Sequence, residues 1–153
     1  PATVCGLSPR MRLDVAVNLL TFQALSRNQI TVLGGSQVRP NIHIDDITDL
    51  YLHLLSNRDR ISSGFYNAGF ENISIIDIAE MIKIKTDCEI NIKKSNDPRS
   101  YRQDSSKILE TGFVPKKKVA NAIDEIIYAY KNKILKDTAQ SHTVDWMKKN
   151  NIK

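Results

Sequence analysis

The sequence has two cysteines, one tryptophan and no long apolar run, and each shortage removes a class of protein. Cys5 and Cys88 form neither a C-x-x-C pair nor a zinc-like spacing, which excludes a thiol-metal site of the usual kind. Two well-separated thiols instead suggest a reducing compartment, so a cytoplasmic location is expected. No segment approaches the roughly 18–20 apolar residues of a membrane helix, so no membrane partner is expected. Aromatics are only 7% of the chain and are not interleaved with basic residues. The net charge of +5 therefore points to a solvated basic surface or a small anionic ligand, and not to nucleic acid.

Several catalytic signatures are also missing. There is no glycine-rich dinucleotide loop, no Walker loop and no G-x-S-x-G elbow. No tyrosine is followed by a lysine four residues on. The histidines, His43, His53 and His142, lack metal-ligand spacing, so no metal is expected. The chain opens on Pro1-Ala2-Thr3 with no initiating Met, and the expectation is that it starts within a longer protein.

What is present is an alternation of strands and helices, which argues for an α/β arrangement within one domain of 153 residues. Residues 2–6 read as a short buried strand with no partner nearby, belonging to a larger parallel sheet. A helix is expected over about 12–27, then strands at 30–33 and 41–44. Asp45 and Asp46 open a helix whose face is Ile47, Leu50, Tyr51, Leu54 and Leu55, at i, i+3, i+4, i+7 and i+8. The acids there also complement the helix dipole. Residues 64–69 read as a strand bounded by glycines. Ser74 and Asp77 form the pattern of a capping box before Ile75, Ile78, Ala79 and Ile82. An edge strand follows at 88–93, then a short helix capped by Asp104 or Ser105 and ended by Gly112. Val119 to Tyr130 gives the last amphipathic helix. Residues 1–136 thus form the folded domain and 137–153 a polar tail anchored at most by Trp146.

The candidate binding groups are arginines set among strands and turns. Arg39 follows Gly34-Gly35-Ser36 and precedes Pro40, which biases it toward extended geometry. Its guanidinium either grips a phosphate or pairs with Asp45 or Asp46. Arg99, in Asp97-Pro98-Arg99-Ser100-Tyr101-Arg102, has a phosphate or an acid as its partner. His53, a turn from Asp49, reads as a surface or packing residue. Lys116-Lys117-Lys118 reads as a solvated turn.

The order of these features resembles a known family. Thr3-Val4-Cys5-Gly6 with Ser8-Pro9-Arg10-Met11 is similar to the strand and turn that follow the catalytic Tyr-x-x-x-Lys of extended short-chain dehydrogenase/reductases. Arg39-Pro40-x-Ile42-His43-Ile44-x-Asp46 resembles the family's R-[DP]-x-[IV]-H-[VI]-x-D segment. Tyr66-Asn67-Ala68-Gly69, Ser74 to Ala79, and Asp104 to Pro115 resemble three further family segments in the same order. The resemblance runs from about residue 2 to residue 135, and each motif alone is weak.

The resemblance implies the C-terminal, substrate-binding portion of an NAD(P)-dependent nucleotide-sugar epimerase/dehydratase, with strands of an incomplete Rossmann-type sheet. NAD or NADP would be bound mainly by an N-terminal domain that this sequence lacks, and the partner would be a nucleoside-diphosphate sugar. Arg39 matches an arginine on the substrate diphosphate, and Val32 a position lining the nucleobase pocket. Asp14, at the start of the first helix, falls near another substrate contact, and Arg99 lies in a loop that supplies a second one. Thr3 stands where many members carry an asparagine that bonds the sugar or its phosphate. His43 and Asp46 are expected to fix the strand-to-helix corner. Without the Tyr-x-x-x-Lys pair the chain alone is expected to be inactive. A first strand with an unpaired edge also raises the expectation of self-association as a homodimer. A non-catalytic nucleotide-sugar binding module and a related reductase on a non-nucleotide substrate remain open as alternatives.

Overall fold

A computed structural model describes residues 1–95 and 97–152. Two small sheets carry the fold. In the first, β1 (Thr3–Cys5) runs parallel to β3 (Val38–His43), and β4 (Glu71–Ser74) joins β3 antiparallel on its other side. In the second, β2 (Gln29–Leu33) pairs in parallel with β5 (Glu89–Lys93). β1 therefore has a partner within this chain, contrary to the sequence expectation, because Thr3, Val4 and Cys5 lie opposite Asn41, Ile42 and His43. Pro40 sits on β3 just before that register begins, where β3 has a neighbour on only one side and the missing N–H leaves no gap in a ladder.

Helices α1 (Ala16–Arg27), α3 (Ile75–Thr86) and α5 (Val119–Lys131) enclose the main core with β2. Val17, Leu20, Ile30, Ile78, Ile82 and Ile123 are its principal buried side chains. A second cluster gathers Ile42, Leu50, Ile108 and Phe113 where α2 (Ile44–Ser56) and α4 (Ser106–Leu109) meet the first sheet. Among the described residues no helix is long and apolar enough to cross a membrane.

Four expectations need correction. The first helix starts at Ala16 and not near residue 12. Met11 and Leu13, two residues apart, point together into a third apolar cluster with Ile126, a spacing that suits extended chain and not helix. Residues 64–69 do not form a ladder. Ala68 accepts from the Ala2 N–H, but Gly69 exchanges its bonds with the Ser105 hydroxyl, and the strand proper begins at Glu71. Gly69 is crowded, since a Cβ there would lie 2.6 Å from the Ala2 Cβ and 3.2 Å from the Pro40 Cβ. The segment from residue 137 is also structured, with a 3₁₀ turn (Ala139–Ser141) and α6 (Thr143–Lys149). It docks on the loop before α1, where the Leu13 N–H donates to Ser141 O at 2.7 Å. Finally, the lysines at 116–118 are a braced corner. The buried Asp46 carboxylate accepts the Lys116 and Lys117 backbone N–H groups, and the Lys116 ammonium reaches Asp49.

The capping expectation at α3 is met: the Ser74 hydroxyl accepts from the Asp77 N–H and donates to its carboxylate. His43, 2% exposed, caps α2 through Nδ1, so it and Asp46 do hold the strand-to-helix corner. His53 is half-buried, with Nε2 at 3.1 Å from the Thr111 hydroxyl and its ring against Phe113.

Candidate anion-binding cleft

Strand β3 ends one wall of a cleft of about 370 Å³ that runs between the two sheets and the start of α1. Thr3, Asp14, Arg39 and Arg99 all line it, together with Gln37 and Tyr101. Residues far apart in sequence thus converge on one opening. Val32 does not join them. It is fully buried in the main core, while Thr31 and Leu33, on the opposite face of β2, line the cleft. The alternation of side chains along a strand makes this inevitable once Ile30 and Val32 face inward.

Arg39 is held on several sides. Its Nη1 donates to Val38 O at 3.0 Å and also to Arg99 O. Its guanidinium lies 5.5 Å from the centre of the Tyr101 ring, an arrangement that favours a cation. Its acid partner is neither Asp45 nor Asp46. Those two face the opposite end of β3, and Nη2 meets the Asp97 carboxylate at 3.2 Å instead. The Arg39 side chain remains only 13% exposed, yet it forms part of the cleft surface.

The same Asp97 carboxylate grips Arg99 bidentately, at 2.7 Å to Nε and 2.8 Å to Nη2. It also accepts the Arg99 backbone N–H at 3.1 Å, closing a turn around Pro98. These bonds from Arg99, with the nearby Arg39 charge, hold the Asp97 carboxyl far below its usual range. The segment is pinned to β3, where the Val38 N–H donates to the Ser100 hydroxyl and the Tyr101 N–H to Val38 O. Asp97 and Tyr101 went unnoticed as site residues. The Asp-Pro-Arg spacing carried a signal for the first, because an aspartate two residues before an amide commonly closes such a turn.

Thr3 and Tyr101 also line a neighbouring pocket of about 490 Å³, shared with Pro1, Arg12, Pro40 and Gln103. The two openings share Thr3, Val15 and Tyr101 in their walls, with Arg39 and Arg99 lining one and Arg12 the other. Asp14 stands in the wall of the cleft, but its carboxylate is engaged by Arg12 Nε at 2.8 Å and by the Val144 N–H at 3.2 Å. Burial raises the Asp14 pKa, and the hydrogen bonds from Arg12 and Val144 outweigh it, so the net shift is downward.

A larger cavity of about 900 Å³ lies between the 7–13 loop and the C-terminal segment, lined mainly by Leu7, Met11, Leu13, Leu135 and Trp146. Its walls also carry Ser8, Arg10, Lys136 and Gln140. The groove beside β1 is the better candidate for an anion, because the Arg39 and Arg99 guanidinium groups converge there on one carboxylate. At the other end of β3, His43, Asp45 and Glu125 come close together, but the Lys117 ammonium already lies between the two carboxylates.

No family model matches the chain. Over 96 residues it is 30% identical to CDP-paratose 2-epimerase of Salmonella typhi, a stretch covering 61% of this chain and 27% of that protein. In structure it is similar to UDP-glucuronic acid 4-epimerase from Bacillus cereus, in complex with UDP-glucuronic acid and NAD. There the TM-score is 0.71 and the identity 28%, over 86% of this chain and 44% of the other. ADP-L-glycero-D-manno-heptose-6-epimerase from Helicobacter pylori shares the fold, with a TM-score of 0.69 at 20% identity over 84% of this chain and 42% of that one. Both comparisons define the same class: an α/β chain that matches the C-terminal portion of an extended short-chain dehydrogenase/reductase. Within that class the matches are to NAD-dependent epimerases and dehydratases of nucleotide sugars. The chain spans less than half the length of these relatives.

Proposed function

We propose that this chain forms the substrate-binding part of an NAD(P)-dependent nucleotide-sugar epimerase or dehydratase, with Arg39 contacting the diphosphate. The observation that carries this reading is the convergence of Arg39, Arg99 and Thr3 on one groove from three separate segments. A guanidinium fixed by backbone carbonyls and an aromatic ring is preorganised for phosphate oxygens, and less rotamer freedom is lost when they bind. Thr3, which lines both pockets, would offer a hydroxyl to the sugar or its phosphate.

The chain's own residues suit the substrate better than the cofactor. A dinucleotide pyrophosphate needs a glycine-rich turn opening a helix, and α1 instead begins after Asp14 and Val15. NAD(P) would supply hydride chemistry from outside this chain, and no step of it is assigned to residues here. Turnover by residues 1–153 with added NAD is accordingly expected to be nil.

Calorimetric titration with UDP, dTDP, GDP and CDP tests the reading. At least one should bind saturably to the wild-type protein, and Arg39→Ala should weaken it by about 10- to 100-fold, the loss of a charge-assisted pair. Equal binding to both proteins would remove Arg39 from the role. No binding of any of the four would favour a non-nucleotide substrate.

A further inference from the structure

The anion slot already contains an anion. One carboxylate, that of Asp97, lies against the guanidinium groups of both Arg39 and Arg99. We propose that Asp97 sets the affinity threshold of this slot: it is an internal competitor that a diphosphate, the intrinsically tighter ligand, displaces and a single phosphate displaces poorly. This rests on the reading of Arg39 as a diphosphate contact and adds to it a rule for which anions enter.

The argument is one of charge and tethering. Two guanidinium groups and one carboxylate leave a single net positive charge at the slot. The carboxylate is attached to the same loop as Arg99, so its effective concentration at the arginines is high and it loses little freedom on binding them. An incoming anion must replace bonds of the charge-assisted kind, including the bidentate pair with Arg99. A single phosphate exchanges one multidentate anion for another and loses its translational freedom in doing so. A pyrophosphate group carries more charge on two linked centres and can satisfy both arginines together. Arg39 does not depend on Asp97 alone for its position, because Val38 O, Arg99 O and the Tyr101 ring also hold it. Removing the carboxylate charge therefore frees the slot without dismantling it. In Asp97→Asn the side-chain oxygen still accepts the Arg99 N–H that closes the turn.

The probes are inorganic pyrophosphate and inorganic phosphate, titrated calorimetrically into wild type, Asp97→Asn, Asp97→Glu and Arg39→Ala. Asp97→Asn should bind pyrophosphate about tenfold more tightly than wild type. It should gain by the same factor for phosphate, because both anions displace the same carboxylate, and phosphate binding too weak to saturate in the wild type should become measurable. Asp97→Glu should stay near wild type, and Arg39→Ala should lose both ligands. In the wild-type protein itself, saturating pyrophosphate should shift the Asp97 side-chain carboxyl ¹³C resonance as its arginine bonds break. That measurement does not depend on any variant folding. If Arg39→Ala loses pyrophosphate while Asp97→Asn gains nothing, or the carboxyl resonance does not move, the competitor is refuted and the diphosphate reading stands. If Arg39→Ala binds pyrophosphate as wild type does, both are refuted.

Discussion

His43 and Glu125, 82 positions apart in sequence, meet at 3.1 Å beneath the first sheet. Because Nδ1 of His43 accepts the Asp45 N–H, the ring proton sits on Nε2 and is donated to the Glu125 carboxylate. One side chain thus caps α2 and ties β3 to α5. The turn after β1 is shaped around it: Gly6 has φ of +111°, and a Cβ there would come within 2.9 Å of Nε2. His43→Ala should remove a helix cap, a hydrogen bond and a packed ring together, at a cost of about 3 kcal/mol. Urea unfolding monitored by circular dichroism measures it, and an unchanged midpoint would count against this role.

Cys5 is buried beside Ile42 O, and burial followed by the nearby Glu71 charge pushes its thiol up from 9.0 to about 12. The folded-state value is raised, so the native protein holds a proton there that the unfolded chain releases. The associated stability is complete below pH 9 and is lost as pH rises toward about 12. A thiol-reactive probe at pH 8 should leave Cys5 unlabelled in the native protein and label it in denaturant. Rapid native labelling, located by peptide mapping, would contradict the burial.

Ile82 and Ile84 share α3 but not its environment, being 0% and 83% exposed. Ile82→Ala opens a cavity in the main core and should cost about 3–4 kcal/mol. Ile84→Ala should change stability by less than about 0.5 kcal/mol. Thermal melts of the two variants side by side test whether the three helices share that core.

Asp14 joins the loop before α1 to the start of α6 through the Val144 N–H. Its pKa is lowered in the folded protein, so the link is intact above the ordinary carboxylate value and is lost as pH falls through the depressed one. Asp14→Ala, which removes the acceptor of the Val144 N–H, should loosen the C-terminal segment at neutral pH. Trypsin should then cut after Lys136 severalfold faster than in wild type, and equal rates would show that the segment docks by its apolar contacts alone.

The main elements were legible because their signals are local. The i, i+3, i+4 face of α2, the Ser74–Asp77 cap and the β-branched run at 30–33 each state their structure within a few residues. Collinear motifs carried the family. The site was legible in part: Thr3, Asp14, Arg39 and Arg99 do share one groove. What could not be read was pairing at a distance. Nothing near Arg39 in sequence names Asp97 as its partner, and Val32 shows its inward face only once its sheet is placed against α1 and α3. The C-terminal segment failed for a related reason, since its docking depends on Leu13 and Asp14, more than a hundred residues earlier.

Arg39 belongs to β3, and Arg99 to a segment beyond β5 that returns to the same strand, where Ser100 and Tyr101 bond to Val38. The gap between the arginines is therefore a caliper closed on one strand, its second jaw held by the bonds of Ser100 and Tyr101 to Val38. Ser100→Ala would loosen that jaw and, at the proposed site, retune the length of anion admitted with neither arginine altered.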